Sequence, residues 1–164
     1  MFNILGPLIN PARATNQLVG VYSKDWTSIL CRVLHNLGSL HVMVVHGADG
    51  LDEVTTTDKT FVSEAKSGRF SDYELTPEQF GIKRAAPQDL LGGDLEENKR
   101  IVMEILKGAP GPKRDIVLLN SGCAIYAADK ANSIEEGIQL AAKSIDSGAA
   151  LKKLEELRRL SSSK

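Results

Sequence analysis

Gln17-Leu-Val-Gly-Val-Tyr-Ser23 and His41-Val-Met-Val-Val-His-Gly47, with the patterned run 26–37 between them, decide the fold of this chain. The first segment is short and rich in β-branched and aromatic residues, the composition of a strand. Between the two, Trp26, Ile29, Leu30, Val33, Leu34 and Leu37 recur at i, i+3, i+4, i+7, i+8 and i+11. That spacing is one apolar stripe of a helix, and Gly38 supplies its C-terminal stop. The run 41–47 is apolar, too short for a helix and closed by a glycine, so it reads as a strand covered on both faces. Strand, helix, strand at this spacing is a βαβ unit, with parallel strands and a right-handed crossover. The predicted class is α/β, a parallel-sheet core with flanking helices.

The acidic loop His46-Gly-Ala-Asp-Gly-Leu-Asp-Glu53 leaves the carboxyl end of the second strand. Open α/β sheets place their ligands there. Asp49, Asp52 and Glu53 lie within five residues of one another, and a cation stabilises such a density of charge. A hard ion such as Mg²⁺ takes one or two carboxylates and completes its shell with water and substrate phosphates. The same spacing also suits a solvated turn in which aspartates satisfy local amides, and spacing alone leaves both readings open.

Upstream, Phe2-Asn-Ile-Leu-Gly-Pro-Leu-Ile-Asn-Pro11 reads as a tight Gly6-Pro7 turn followed by an Asn10-Pro11 turn. Downstream, residues 60–66 and 69–75 form a hairpin joined at Ser67-Gly68. Residues 76–80 and 86–90 are short turns or single helical turns. Asp94, with Glu97 three residues on, opens a helix over roughly 95–107, which Gly108 and Pro110-Gly-Pro112 end. Residues 114–127 are almost continuously apolar, and their length favours a buried helix over a strand. Ser133 and Glu136 form a second capping box, for a helix carrying Ile134, Ile138, Leu140, Ala141 and Ile145. Leu151, Leu154, Leu157 and Leu160 mark a last amphipathic stretch before the polar tail. The organisation expected is one α/β domain over 1–160 and a tail over 161–164, without repeat or interior linker.

At 164 residues the chain can bury a real core. Its net charge of −1 argues against electrostatic binding to nucleic acid or a membrane surface. No apolar run approaches the ~18 residues a membrane span needs. Cys31 and Cys123 lie far apart and each falls inside an expected helix, so they read as buried, reduced thiols of a cytoplasmic protein.

Several of these segments resemble anthranilate phosphoribosyltransferase. They are Phe2–Ala12 with Gly6-Pro7-Leu8-Ile9-Asn10-Pro11, then 17–21, then Val44–Glu53 with its Gly50-Leu-Asp-Glu53. Gly92-Gly93-Asp94 with Glu97-Asn98, and Gly111-Pro112 with Arg114–Asn120, complete the set. They occur in that family's order, cover nearly the whole chain, and match the C-terminal half of the family's sequence. The resemblance implies a nucleoside-phosphorylase-like phosphoribosyltransferase domain. It also implies transfer of phosphoribosyl from phosphoribosyl pyrophosphate to anthranilate, in tryptophan biosynthesis. Asp52 and Glu53 match the acidic pair that holds Mg²⁺ on the pyrophosphate, and Asp49 is then a turn former. Gly6 and Pro7 match the turn lining the anthranilate channel, where the proline ring offers a rigid apolar wall. Ile9 stands where the family usually carries threonine. No catalytic acid or base is assigned within this segment.

By the same resemblance, the helical domain, the glycine-rich diphosphate loop, and the basic and histidine residues that meet anthranilate lie upstream of Phe2. The start at Met1 therefore reads as a truncation, an alternative start or one half of a split protein, with the missing N-terminal half as a possible partner. The family's homodimer contacts belong to that upstream domain. The competing readings are a non-catalytic fragment that only binds a partner chain and, more weakly, a pyrimidine-nucleoside phosphorylase, which Gly50-Leu-Asp-Glu53 argues against. Three features read as inert. Gly92-Gly93-Asp94 precedes an ordinary N-cap, His41 and His46 point to opposite faces of one strand, and Cys123 lacks an activating neighbour.

Overall fold

Strand β2 (His41–Gly47) is the axis of the computed structural model, which describes residues 2–162 and side chains from Leu5 onward. Its alternate residues enter two different cores. Val42 and Val44 join Leu30, Cys31 and Leu34 of helix α2 (Asp25–Asn36), whereas Met43 and Val45 join Leu119 and Cys123 of helix α4 (Pro112–Ala127). A strand flanked by helices on both faces is apolar throughout, which is why 41–47 carries no alternation.

Strand β1 (Asn16–Gly20) pairs in parallel with β2, as the βαβ pattern requires. The hairpin is also as expected: β3 (Thr60–Lys66) and β4 (Arg69–Leu75) turn at Ser67 and Gly68, both at positive φ. The hairpin is part of the main sheet. β3 pairs antiparallel with β2, so the order is β1-β2-β3-β4 and the sheet is mixed, with one parallel pairing. The run 41–47 is covered on both faces, as its composition predicts. β2 is internal, and β1 and β4 are the two edges.

The first strand is shorter than the 17–23 expected. Val21 donates one more bond to Val45, at 2.9 Å, before the chain turns into α2. The stripe on α2 is wider than its cover. Leu30 and Leu34 are buried, but Ile29 is 51% and Leu37 64% exposed, with Val33 between them on the same ridge.

The N-terminal segment departs from expectation. Phe2–Leu8 forms a helix, α1, that contains Pro7, so Gly6-Pro7 is not a tight turn. Pro7 lies next to the last helical residue, where a proline's helix-breaking effect coincides with the end. The second turn is present: Arg13 N donates to the Asn10 carbonyl at 3.0 Å, and Ala12 N to the Asn10 side chain at 3.0 Å.

Helix α3 (Leu95–Leu106) starts where Asp94 accepts from Glu97 N at 2.9 Å. The Glu97 carboxylate pairs with Arg100, leaving the box half formed. Helix α5 (Ile134–Asp146) likewise has Ser133 accepting from Glu136 N, but the Glu136 carboxylate takes Asn132 N at 2.7 Å. Arg114 links three helices. Its guanidinium donates to Gly108 O, just past α3, and pairs with Asp146 at the end of α5, both C-terminal ends that favour a cation. α4 and α5 touch backbone to backbone, where a Cβ on Gly137 would lie 2.3 Å from the Gly122 carbonyl. Helix α6 (Ala149–Ser161) runs into the expected tail, of which 163–164 lie outside the described residues.

Candidate functional site

The acidic loop begins where β2 ends, and backbone bonds hold its first turn. Gly47 N donates to Leu51 O at 2.8 Å, Gly50 N to Gly47 O at 2.9 Å, and Ala48 N to Lys59 O at 2.8 Å. Within it, Asp49 behaves as a turn former. Its carboxylate accepts from Leu51 N at 3.2 Å, from the Thr55 hydroxyl at 2.5 Å, and from the Thr57 hydroxyl. Burial raises its pKa, but these hydrogen bonds outweigh that and hold the group below the usual carboxylate range.

Asp52 and Glu53 are the opposite case. Both are exposed, and neither carboxylate has a hydrogen-bond or ion-pair partner among the described residues. Yet the chain beneath them is fixed. The Asp52 carbonyl rests against Gly20, so closely that a Cβ there would lie 1.5 Å from its oxygen. Val54, directly after Glu53, is 0% exposed. Two adjacent free carboxylates on a rigid loop, at the carboxyl end of a buried strand, fit a hard divalent ion that keeps water or phosphate in its remaining positions. Among the described residues there is no group of three or more metal-ligating side chains, so the protein alone offers no closed cage.

The other expected site residues lie elsewhere. Gly6 is exposed, and Pro7 lines a groove of about 400 Å³ with Thr15, Gln17, Leu37 and Ser39. Gln17 pairs with Val42, near the amino end of β2. That level is five residues, roughly 17 Å of strand, from the start of the acidic loop at Gly47. The structure therefore does not bring Gly6 and Pro7 together with Asp52 and Glu53.

Sequence reading missed a buried polar network at that amino end. His41, 1% exposed, has one ring nitrogen 2.8 Å from Glu64 and the other 2.8 Å from Asp129. Tyr73 and Tyr126 donate to the same Glu64 carboxylate at 2.7 and 3.0 Å. Glu64 in the middle of β3 was the available signal, since a charge in an inner strand demands partners. His46 instead stacks over Phe61 and bonds the Val21 carbonyl, so the two histidines do diverge. Both cysteines are buried, and burial raises Cys123 to about 12 and Cys31 to about 11, which leaves them unreactive thiols.

A mixed sheet between helices, with a free acidic pair at the carboxyl end of one of its parallel strands, defines an α/β domain with a candidate ligand site at that end. The chain belongs to the glycosyl transferase family, a/b domain, which matches residues 1–151. It is 53% identical over 156 residues to an anthranilate phosphoribosyltransferase of Acetivibrio thermocellus, covering 95% of this chain and 45% of that one. It is 52% identical to the Alkaliphilus metalliredigens enzyme of the same name, over 98% of this chain and 48% of that one. Among solved structures, the anthranilate phosphoribosyltransferase of Thermus thermophilus superposes with a TM-score of 0.85 at 42% identity, covering 94% of this chain and 46% of that one. The Saccharomyces cerevisiae enzyme, in complex with phosphoribosyl pyrophosphate and Mg, gives 0.81 at 32% identity, covering 94% and 45%. The chain thus spans about half the length of the curated relatives it matches.

Proposed function

We propose that this chain supplies the metal-holding part of an anthranilate phosphoribosyltransferase, which transfers phosphoribosyl from phosphoribosyl pyrophosphate to the amine of anthranilate. The observation that carries the reading is the contrast within one loop: Asp49 is consumed by local bonds, while Asp52 and Glu53 stand free on fixed backbone. Mg²⁺, when held by that pair, supplies charge neutralisation on the departing pyrophosphate. The chain's own part is to hold two carboxylates at a set place, so that binding spends little on ordering them. The anthranilate amine is itself a nucleophile, and the segment needs no general base.

Gly6 and Pro7 enter this reading through the family resemblance. In this chain Pro7 lies at the amino end of β2, and in this reading the anthranilate subsite is completed by the upstream half. The unpaired edge of β1 and, separately, the uncovered ridge Ile29, Val33 and Leu37 support an upstream partner. The same surfaces favour a second reading, a half that binds its partner chain and contributes no turnover. The relatives named above are all anthranilate phosphoribosyltransferases, which disfavours a nucleoside phosphorylase. The buried thiols fit a cytoplasmic enzyme, and homodimer contacts fall to the upstream half.

The test mixes this chain with a separately made upstream half and follows phosphoribosylanthranilate. Turnover is expected from the mixture, and at limiting Mg²⁺ Asp52→Asn or Glu53→Gln should lower it about 10- to 100-fold, with partial recovery at high Mg²⁺. Wild-type rates from both variants at limiting Mg²⁺ would overturn the metal assignment. A mixture that associates but never turns over would favour the binding-only reading.

A further inference from the structure

The two carboxylates have no partner among the described residues, so the backbone that carries them sets their place, and a side chain of α4 holds that backbone. The geometry points to Asn120 of α4 as the positioning residue for the acidic pair, an inference that rests on the metal reading above. Its side-chain amide grips Val54 at both polar atoms. Val54 N donates to Oδ1 at 2.9 Å, and Nδ2 donates to Val54 O at 2.7 Å. Nδ2 also donates to Ile116 O at 3.0 Å, one turn back on α4, which sets the orientation of the amide.

The consequence for Glu53 is direct. The N–H that Asn120 accepts belongs to the peptide unit joining Glu53 to Val54, so its grip sets the torsion on the carboxyl side of Glu53. The contact of the Asp52 carbonyl with Gly20 holds the other end. The pair is thereby stretched between β1 and α4. The residue type is demanded by the donor and acceptor count. Aspartate would set an oxygen against the Val54 carbonyl, and alanine would leave both backbone groups buried without partners. Glutamine carries the same amide on a longer arm.

The test measures Mn²⁺ bound to the full chain by electron paramagnetic resonance, alongside thermal unfolding and amide exchange at Val54. Asn120→Ala and Asn120→Asp should weaken Mn²⁺ binding about tenfold, the scale of outer-shell losses, and speed exchange at Val54. Asn120→Gln should recover part of both. Leu34→Ala, in the other core, should lower the melting temperature while leaving the Mn²⁺ affinity of the folded protein unchanged. If Asp52→Asn and Glu53→Gln abolish binding but Asn120→Ala keeps wild-type affinity, the positioning role is overturned and the metal reading stands. If neither carboxylate variant changes binding, both fall. An affinity loss in Asn120→Ala matched by Leu34→Ala at equal folded fraction would also overturn it, because general loosening would then suffice.

Discussion

Buried in β3, Glu64 keeps a charge because three donors surround it. Burial alone pushes its pKa up, but hydrogen bonds from His41, Tyr73 and Tyr126 outweigh that and leave it below the ordinary value. The neighbours move accordingly: Tyr126 is raised to about 12, by burial first and then by Glu64, and Tyr73 is raised further still. Asp129 is lowered, first by its bond to His41. A carboxylate whose folded pKa is depressed stabilises the fold at pH values above its unfolded pKa. That contribution disappears as pH falls through the folded value. Stability to urea, followed by circular dichroism, should therefore decline as pH drops below the ordinary carboxylate range of about 4. Glu64→Gln should be less stable near neutrality and should show a flatter acid limb. An acid limb unchanged by that substitution would show that Glu64 does not drive it.

Among the elements, the contact of α4 with α5 is the least forgiving. A methyl group on Gly122 would sit 2.5 Å from the Ile138 side chain and 2.8 Å from its backbone nitrogen. Gly122→Ala or Gly137→Ala should cost about 1–3 kcal/mol by overpacking, read from the urea midpoint. The elements were also where sequence was most legible. Periodicity located α2 and α5, a Ser-Gly pair between two strand-like arms located the hairpin turn at Ser67-Gly68, and a continuous apolar run located β2. Local pattern failed where distant residues decided. Nothing near Pro7 announces a helix, and the pairing of β3 with β2 depends on a register that no short segment contains. Within the candidate site, Asp52 and Glu53 were visible as charge on a loop. Asn120 was not, because it lies 66 residues from Val54 and reads as one more position in an apolar helix. Gly20 had left a trace, since a glycine between two valines in a strand marks a close approach of other backbone.

For the whole molecule, the two open surfaces predict behaviour in solution. β1 presents an unpaired edge, and the ridge Ile29, Val33 and Leu37 is exposed on and just after α2, two features that each favour association. The purified chain should elute from size-exclusion chromatography larger than its mass. It should give no phosphoribosylanthranilate unaided, and its calorimetric response to Mg²⁺ should be weak and unaffected by phosphoribosyl pyrophosphate. A well-dispersed monomer with turnover of its own would contradict the division of labour proposed for the two halves.

The ridge on α2 has a further consequence, for the lifetime of the chain inside a cell. Chaperones and proteases sort proteins by the apolar surface they show, and a folded chain with an uncovered ridge shows some of what an unfolded one does. Its abundance would then follow the supply of whatever covers α2 more closely than its own rate of synthesis. Replacing Ile29 and Leu37 with lysine should lengthen the half-life of the solitary chain in a pulse-chase experiment, and should shorten that of any complex built on the same face.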